Sequence, residues 1–278
     1  MEILLGLDLG TTNCKALAFD LDGRLVGSAS EPTPALPSPG GNAADRSAPM
    51  YDAEALWQVS ARLIREVNQQ LEPSRRVAAL SVASMGESGV LVDANGIPLA
   101  PVLTWYDRRT VPWNDWWRQR LNEANIYQIT GLPLDHIYSA HKLLWHRQHD
   151  PATFDRAQSW LGLSDWIAFC LTGRRTMSFS QASRTMLFDL RTHTWSEELL
   201  RLTDLPASLL PPALPSGEII GEVTQEAARL TGLAAGTVVA TGGHDHICAA
   251  LAAGAIKPGI VLNSSGTTDT ILTTLEVP

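Results

Sequence analysis

Between Leu4 and Asp20 an apolar run enters a turn made of Gly10, Thr11, Thr12 and Asn13, and a second apolar run leaves it. That is the pattern of two strands joined as a hairpin. The turn's backbone amides and its two hydroxyls form a concave set of donors suited to a phosphate group. Asp8 stands just before the turn, where a carboxylate can hold a hydrated magnesium ion against that phosphate. The same residues also fit a plain Gly-Thr hairpin around a buried aspartate.

Near the other end of the chain, residues 261–272 repeat the design around Ser264, Ser265, Gly266, Thr267 and Thr268. Two such hairpins suggest two jaws closing on one polyphosphate. Between them lies Thr241-Gly242-Gly243-His244-Asp245-His246, a carboxylate in a glycine-rich turn ahead of an alanine-rich helix. Asp245 there is a candidate general base, or simply the N-cap of that helix. His244 and His246 flank it, but alternate residues around a turn seldom converge on one ion. No metal site is therefore expected from them.

With these three motifs the chain resembles the FGGY family of carbohydrate kinases, within the actin-like ATPase superfamily. The resemblance runs over essentially the whole chain but covers only the first half of that family's architecture. It implies an ATP-dependent carbohydrate kinase that transfers the γ-phosphate to a hydroxyl of a ketose or polyol, a pentulose such as xylulose first. Asp245 matches the family's base. Asp8, Gly10, Thr11, Thr12 and Lys15 match its first phosphate motif, with Gly266, Thr267 and Thr268 as the facing phosphate turn and ATP and Mg²⁺ as the cofactors.

For the sugar, the resemblance points to Met85, Gly86 and Glu87, to Trp105 and Asp107, and to Ile137 and Tyr138, where an aromatic residue closes the pocket. Met85 and Gly86 depart from the glycerol kinase pattern Gln-Arg and the xylulose kinase pattern Gln-Met, so the sugar stays open. Asp107 would fix hydroxyls or a neighbouring arginine such as Arg108. Ser180 to Thr185 resembles a stretch behind the sugar site. The competing reading is a non-catalytic actin-like or sugar-binding module, because the adenosine-binding half is missing. The chain alone is then expected to bind sugar weakly, to transfer phosphate poorly and to lack a tight nucleotide site.

These residues need a frame. The 278 residues carry 21 Lys and Arg against 29 Asp and Glu, a net charge of −8, which argues against nucleic acid as a partner. Three scattered cysteines form neither a disulfide framework nor a metal quartet. No apolar run is long enough for a membrane span. A cytoplasmic protein is expected, with a homodimer as a further expectation.

Three antiparallel strands open the chain, the last over Leu25 to Ser30, and helices and strands then alternate. That order predicts an α/β, ribonuclease H-like fold, and the resemblance implies an actin/sugar-kinase ATPase domain with a mixed five-stranded sheet and helical insertions. Residues 32–50 read as a surface loop. Tyr51 to Leu71 reads as an amphipathic helix capped by Asp52, and Asp165 to Leu171 as a helix stopped at Gly173. His141, His146 and His149 read as a solvated helix face. Residues 1–246 are expected to form the sugar-binding domain, and 247–278 the connecting helix and first hairpin of a truncated nucleotide domain.

Overall fold

The computed structural model describes residues 1–37, 48–265 and 269–276. Strands β1 (Glu2–Leu9), β2 (Asn13–Asp20) and β3 (Leu25–Pro32) form the opening meander. In β1 alternate residues Ile3, Leu5, Leu7 and Leu9 are buried, which leaves Asp8 on the opposite face. Helix α1 (Ala53–Gln70) lays Leu56, Leu63, Ile64 and Val67 against that apolar face. Its N-cap is Asp52, whose Oδ1 accepts from the amides of Glu54 and Ala55 at 2.8 and 3.1 Å.

Strand β4 (Arg76–Ser84) follows, and then a helical stretch containing α2 (Ser139–His149), α3 (Leu163–Thr172) and the short α4 (Phe179–Ser183). Strand β5 (Ile219–Glu222), helix α5 (Gln225–Thr231), strand β6 (Val238–His244) and helix α6 (Asp245–Ala252) return the chain to the sheet. The hairpin β7 (Val261–Ser265) and β8 (Asp269–Thr273) closes the described chain.

The main sheet has the order β5-β6-β4-β1-β2-β3, with β1, β4 and β6 parallel. It is the mixed α/β sheet expected, with one strand more: Ile219–Glu222 pairs antiparallel with β6 as a sixth, edge strand. The stretch read as a loop over 32–50 is partly ordered into a ladder. Ala35–Leu36 pairs with Met50–Tyr51, which in turn pairs with Val102–Leu103. The expected division after residue 246 falls in the first turn of α6.

Two apolar cores result. One lies between the sheet and helices α1 and α3; the other gathers Trp113, Trp117, Ile126, Leu143, Leu144 and Phe188 of the helical stretch. Helix α2 corrects the sequence reading, since His141 and His146 are buried and only His149 is exposed. Residues 139–144 are all buried, because this helix crosses the second core with protein on both sides.

Where β6 meets β4 the register slips between Ala240 and Gly243. A Cβ on Gly242 would stand 1.8 Å from the Val82 carbonyl oxygen, so only glycine fits this approach. The slip comes just before the end of β6 and Asp245, which follows it.

Candidate active site

Three parallel strands end on the same side, and ligands of open α/β sheets bind outside such ends. Register makes the placement specific. Asp8 of β1 and Gly243 of β6 both lie beside Ala83 of β4, and Leu9 and His244 both lie beside Ser84. Asp8, the turn after β4 and Asp245 are thereby brought to one place, although 237 positions separate the two aspartates in sequence.

A cleft of about 560 Å³ opens there. From the first hairpin it takes Asp8, Gly10, Thr11, Thr12 and Lys15, from the next turn Met85, Gly86 and Glu87, and then Trp105 and Asp245. Ser264, Thr270 and Leu272 of the second hairpin line the same cleft. Gly266, Thr267 and Thr268 lie outside the described residues. A larger, shallower cleft of about 830 Å³ beside Asn95, Arg174 and Arg175 shares no residue with it and carries no carboxylate.

The first hairpin is held shut by the Gly10 amide, which donates to the Asn13 carbonyl at 3.1 Å, and by Thr33, whose hydroxyl donates to the Gly10 carbonyl at 2.7 Å. Lys15 pairs across the ladder with Asp8, so both point to the cleft side. Asp8 Oδ1 is buried with no hydrogen-bond partner among the described residues, an orphaned acceptor that suits a hard cation. Burial, and then the Asp245 charge, raise its pKa, while Lys15 lowers it.

Asp245 is the first residue of α6 and partly exposed to the cleft. Its Oδ1 accepts from the His246 amide at 2.7 Å, and His244 Nε2 lies 3.3 Å away. Burial raises its pKa, and His246 and Arg184 oppose that rise. Burial, with Arg184 and His246 adding to it, holds the His244 imidazole down to about 3, so the ring is neutral. The turn does converge, against the sequence expectation. Donor atoms of His244, Asp245 and His246 all lie within 4.8 Å of one another, because the strand-to-helix transition at 244–245 folds the three side chains together.

Met85 is buried and donates its amide to the Leu9 carbonyl at 3.1 Å, tying the turn after β4 to the first hairpin. Glu87 is buried with a left-handed backbone, φ 64°. Trp105 reaches the first hairpin, its indole N–H donating to the Thr11 hydroxyl at 3.4 Å. Behind the cleft the fully buried Lys142 donates to the Ile137 carbonyl at 2.5 Å and lies 3.5 Å from the Trp105 carbonyl.

Two expected sugar residues are not on the cleft wall. Asp107 is fully buried, caps residues 108–110 and pairs with Arg109 rather than Arg108, with 2.9 Å between Arg109 Nε and its Oδ2. Its Oδ1 accepts from the Arg109 amide at 3.0 Å, and its Oδ2 faces the Arg109 guanidinium. Tyr138 is buried beneath the Arg184 guanidinium, 5.2 Å from its ring centroid, and Ile137 lines the cleft in its place.

Arg184 itself is a cleft residue that the sequence did not single out. Its Nε donates to Glu87 Oε1 at 2.6 Å across 97 positions. The only signal for it in the sequence was its place within Ser180–Thr185, the stretch matched to the back of the sugar site.

The model of the FGGY family of carbohydrate kinases, N-terminal domain, matches residues 3–252. An L-fuculokinase of Escherichia coli K12 is 30% identical over 276 residues, which cover 98% of this chain and 56% of that one. A glycerol kinase of Gloeobacter violaceus is 35% identical over 268 residues, 95% of this chain and 51% of that one. The crystal structure of xylulose kinase from Rhodospirillum rubrum superposes with a TM-score of 0.90 at 32% identity, covering 98% of this chain and 55% of that one. The chain spans about half the length of the curated relatives it matches.

Proposed function

The chain belongs to the FGGY family of carbohydrate kinases, and from that premise we propose that it carries the sugar site and the catalytic base of an ATP-dependent sugar kinase. The acceptor is a hydroxyl of a ketose or polyol, a pentulose such as xylulose first. The observation that carries this reading is the shared register of three parallel strand ends, which puts Asp8, the Glu87 turn and Asp245 around one cleft.

Phosphoryl transfer asks little covalent work of a protein; positioning and charge stabilisation dominate. Glu87 and the Trp105 indole orient the sugar. Asp245 takes the proton from the attacking hydroxyl. The Gly10-Thr11-Thr12 turn and Lys15 receive phosphate oxygens, with Gly266, Thr267 and Thr268 assigned to the facing turn. Asp8 would hold magnesium, which supplies charge neutralisation at the phosphates. Asp107 serves the sugar site from behind, by fixing the backbone after Trp105 through its cap on residues 108–110.

The test is a coupled ADP-release assay on the full-length gene product across a panel of ketoses and polyols. Sugar-dependent ADP release is expected, and Asp245→Asn should lower kcat by about 10²–10⁴-fold. Equal turnover by that variant removes Asp245 from the base role. No sugar-dependent release from the wild type favours a non-catalytic sugar-binding module.

A further inference from the structure

The turn after β4 holds no cation of its own, and the reason is steric. A Cβ on Gly86 would lie 2.9 Å from His244 Cδ2 and 3.3 Å from Arg184 Cγ, so the place a longer residue would take is already filled. What fills it comes from the end of α4. The Arg184 amide bonds back to the Gln181 carbonyl at 3.0 Å, its guanidinium lies over the Tyr138 ring, and its Nε and Nη2 both rest on Glu87 Oε1.

Both contacts fall on one oxygen, which leaves Glu87 Oε2 as an acceptor. Arginine carries five N–H donors, and this side chain is 25% exposed on the cleft wall. Acceptor and donor therefore stand side by side in the wall of the cleft that Trp105 and Asp245 also line. Two neighbouring hydroxyls, or a hydroxyl beside a ketone, match that pair.

The charge around the cleft decides against an acid. Leaving aside Asp8 and Lys15, assigned to magnesium and phosphate, Glu87 and Asp245 outnumber Arg184, and Arg184 is already matched to Glu87. We infer that Arg184 is a specificity-determining residue, forming with Glu87 a donor–acceptor clamp that selects a neutral vicinal diol or ketose and excludes an aldonate. The inference rests on the sugar-kinase reading above and goes further, to the class of sugar and the residue that chooses it.

Binding tests it without phosphate transfer. The chain is titrated calorimetrically with D-xylulose, glycerol and D-gluconate at millimolar concentrations, with thermal melts as a check on folding. A neutral ligand should bind at least about tenfold more tightly than gluconate, in line with one charge-assisted contact. Arg184→Met should weaken neutral-sugar binding about 10–100-fold.

Arg184→Lys keeps the charge but not the fork, and should recover only part of that loss. It carries the test if the methionine variant does not fold. Wild-type affinity in either folded variant overturns the role of Arg184 and leaves the kinase reading standing. Preference for gluconate overturns the substrate class. A folded wild type that binds none of the three sugars overturns the inference together with the sugar site beneath it.

Discussion

Lys142 shows how much of a site is decided by residues that never reach it. Its ammonium is completely buried, and burial brings its pKa down to about 8 against the partial support of Glu87, Asp107 and Asp135. What it touches are the carbonyls of Ile137 and Trp105, two residues that line the cleft and stand 32 positions apart. Replacing it with methionine would keep the apolar stem and leave both carbonyls without their donor. A cost of about 1–3 kcal/mol in stability is expected. The walls would also lose their common anchor, so on the proposed sugar-kinase reading the KM for sugar of the full-length protein should rise more than kcat falls. Steady-state kinetics on Lys142→Met checks this, and a fall in kcat with KM unchanged would show that the anchor serves something other than sugar positioning.

At the scale of elements, the parts that could be read from sequence are those whose cause is local. The first hairpin was legible because strict alternation in β1 and a Gly-Thr-Thr turn sit within 20 residues. Helix α1 was legible through its period and its Asp52 cap. Asp52→Ala should cost about 1 kcal/mol, seen as a lower urea midpoint at unchanged slope.

What escaped reading depends on partners far along the chain. Arg184 meets Glu87 across 97 positions, and nothing in either segment announces the other. The buried histidines of α2 were misread because a helix with protein on both sides loses the polar face that marks a solvated one. The sixth strand is four residues long and follows a proline-rich stretch, too short to carry a period. Asp107 was placed near the sugar on resemblance alone, while its cap on residues 108–110 and its pairing with Arg109 emerge only in three dimensions.

For the molecule as a whole, buried titratable groups predict how stability responds to pH. Asp165, at the start of α3, accepts one backbone N–H from Ser178 at 3.1 Å, and its Oδ2 is buried with no partner among the described residues. Burial pushes its pKa up to about 8, opposed by that single bond. A carboxyl raised in the folded state keeps a proton that the unfolded chain gives up above about 3.9, so stability falls as pH rises through that window and up to about 8. The histidines act in the opposite sense. Burial lowers His146 to about 4 and His141 well below its ordinary value. Stability is therefore lost as pH drops below about 6.5, where the unfolded chain takes up their protons.

The two effects compete below pH 6.5, and above it the histidines fall silent. Asp165 then acts with a slope of up to about 1.4 kcal/mol per pH unit. Urea unfolding between pH 6.5 and 8 should show stability declining in the wild type. Asp165→Asn keeps an acceptor for Ser178 and places an amide where the protonated oxygen stood, so most of the decline should vanish. A wild type whose stability stays level from pH 6.5 to 8 would mean that Asp165 is ionised in the fold and matched by a partner the packing around α3 does not display.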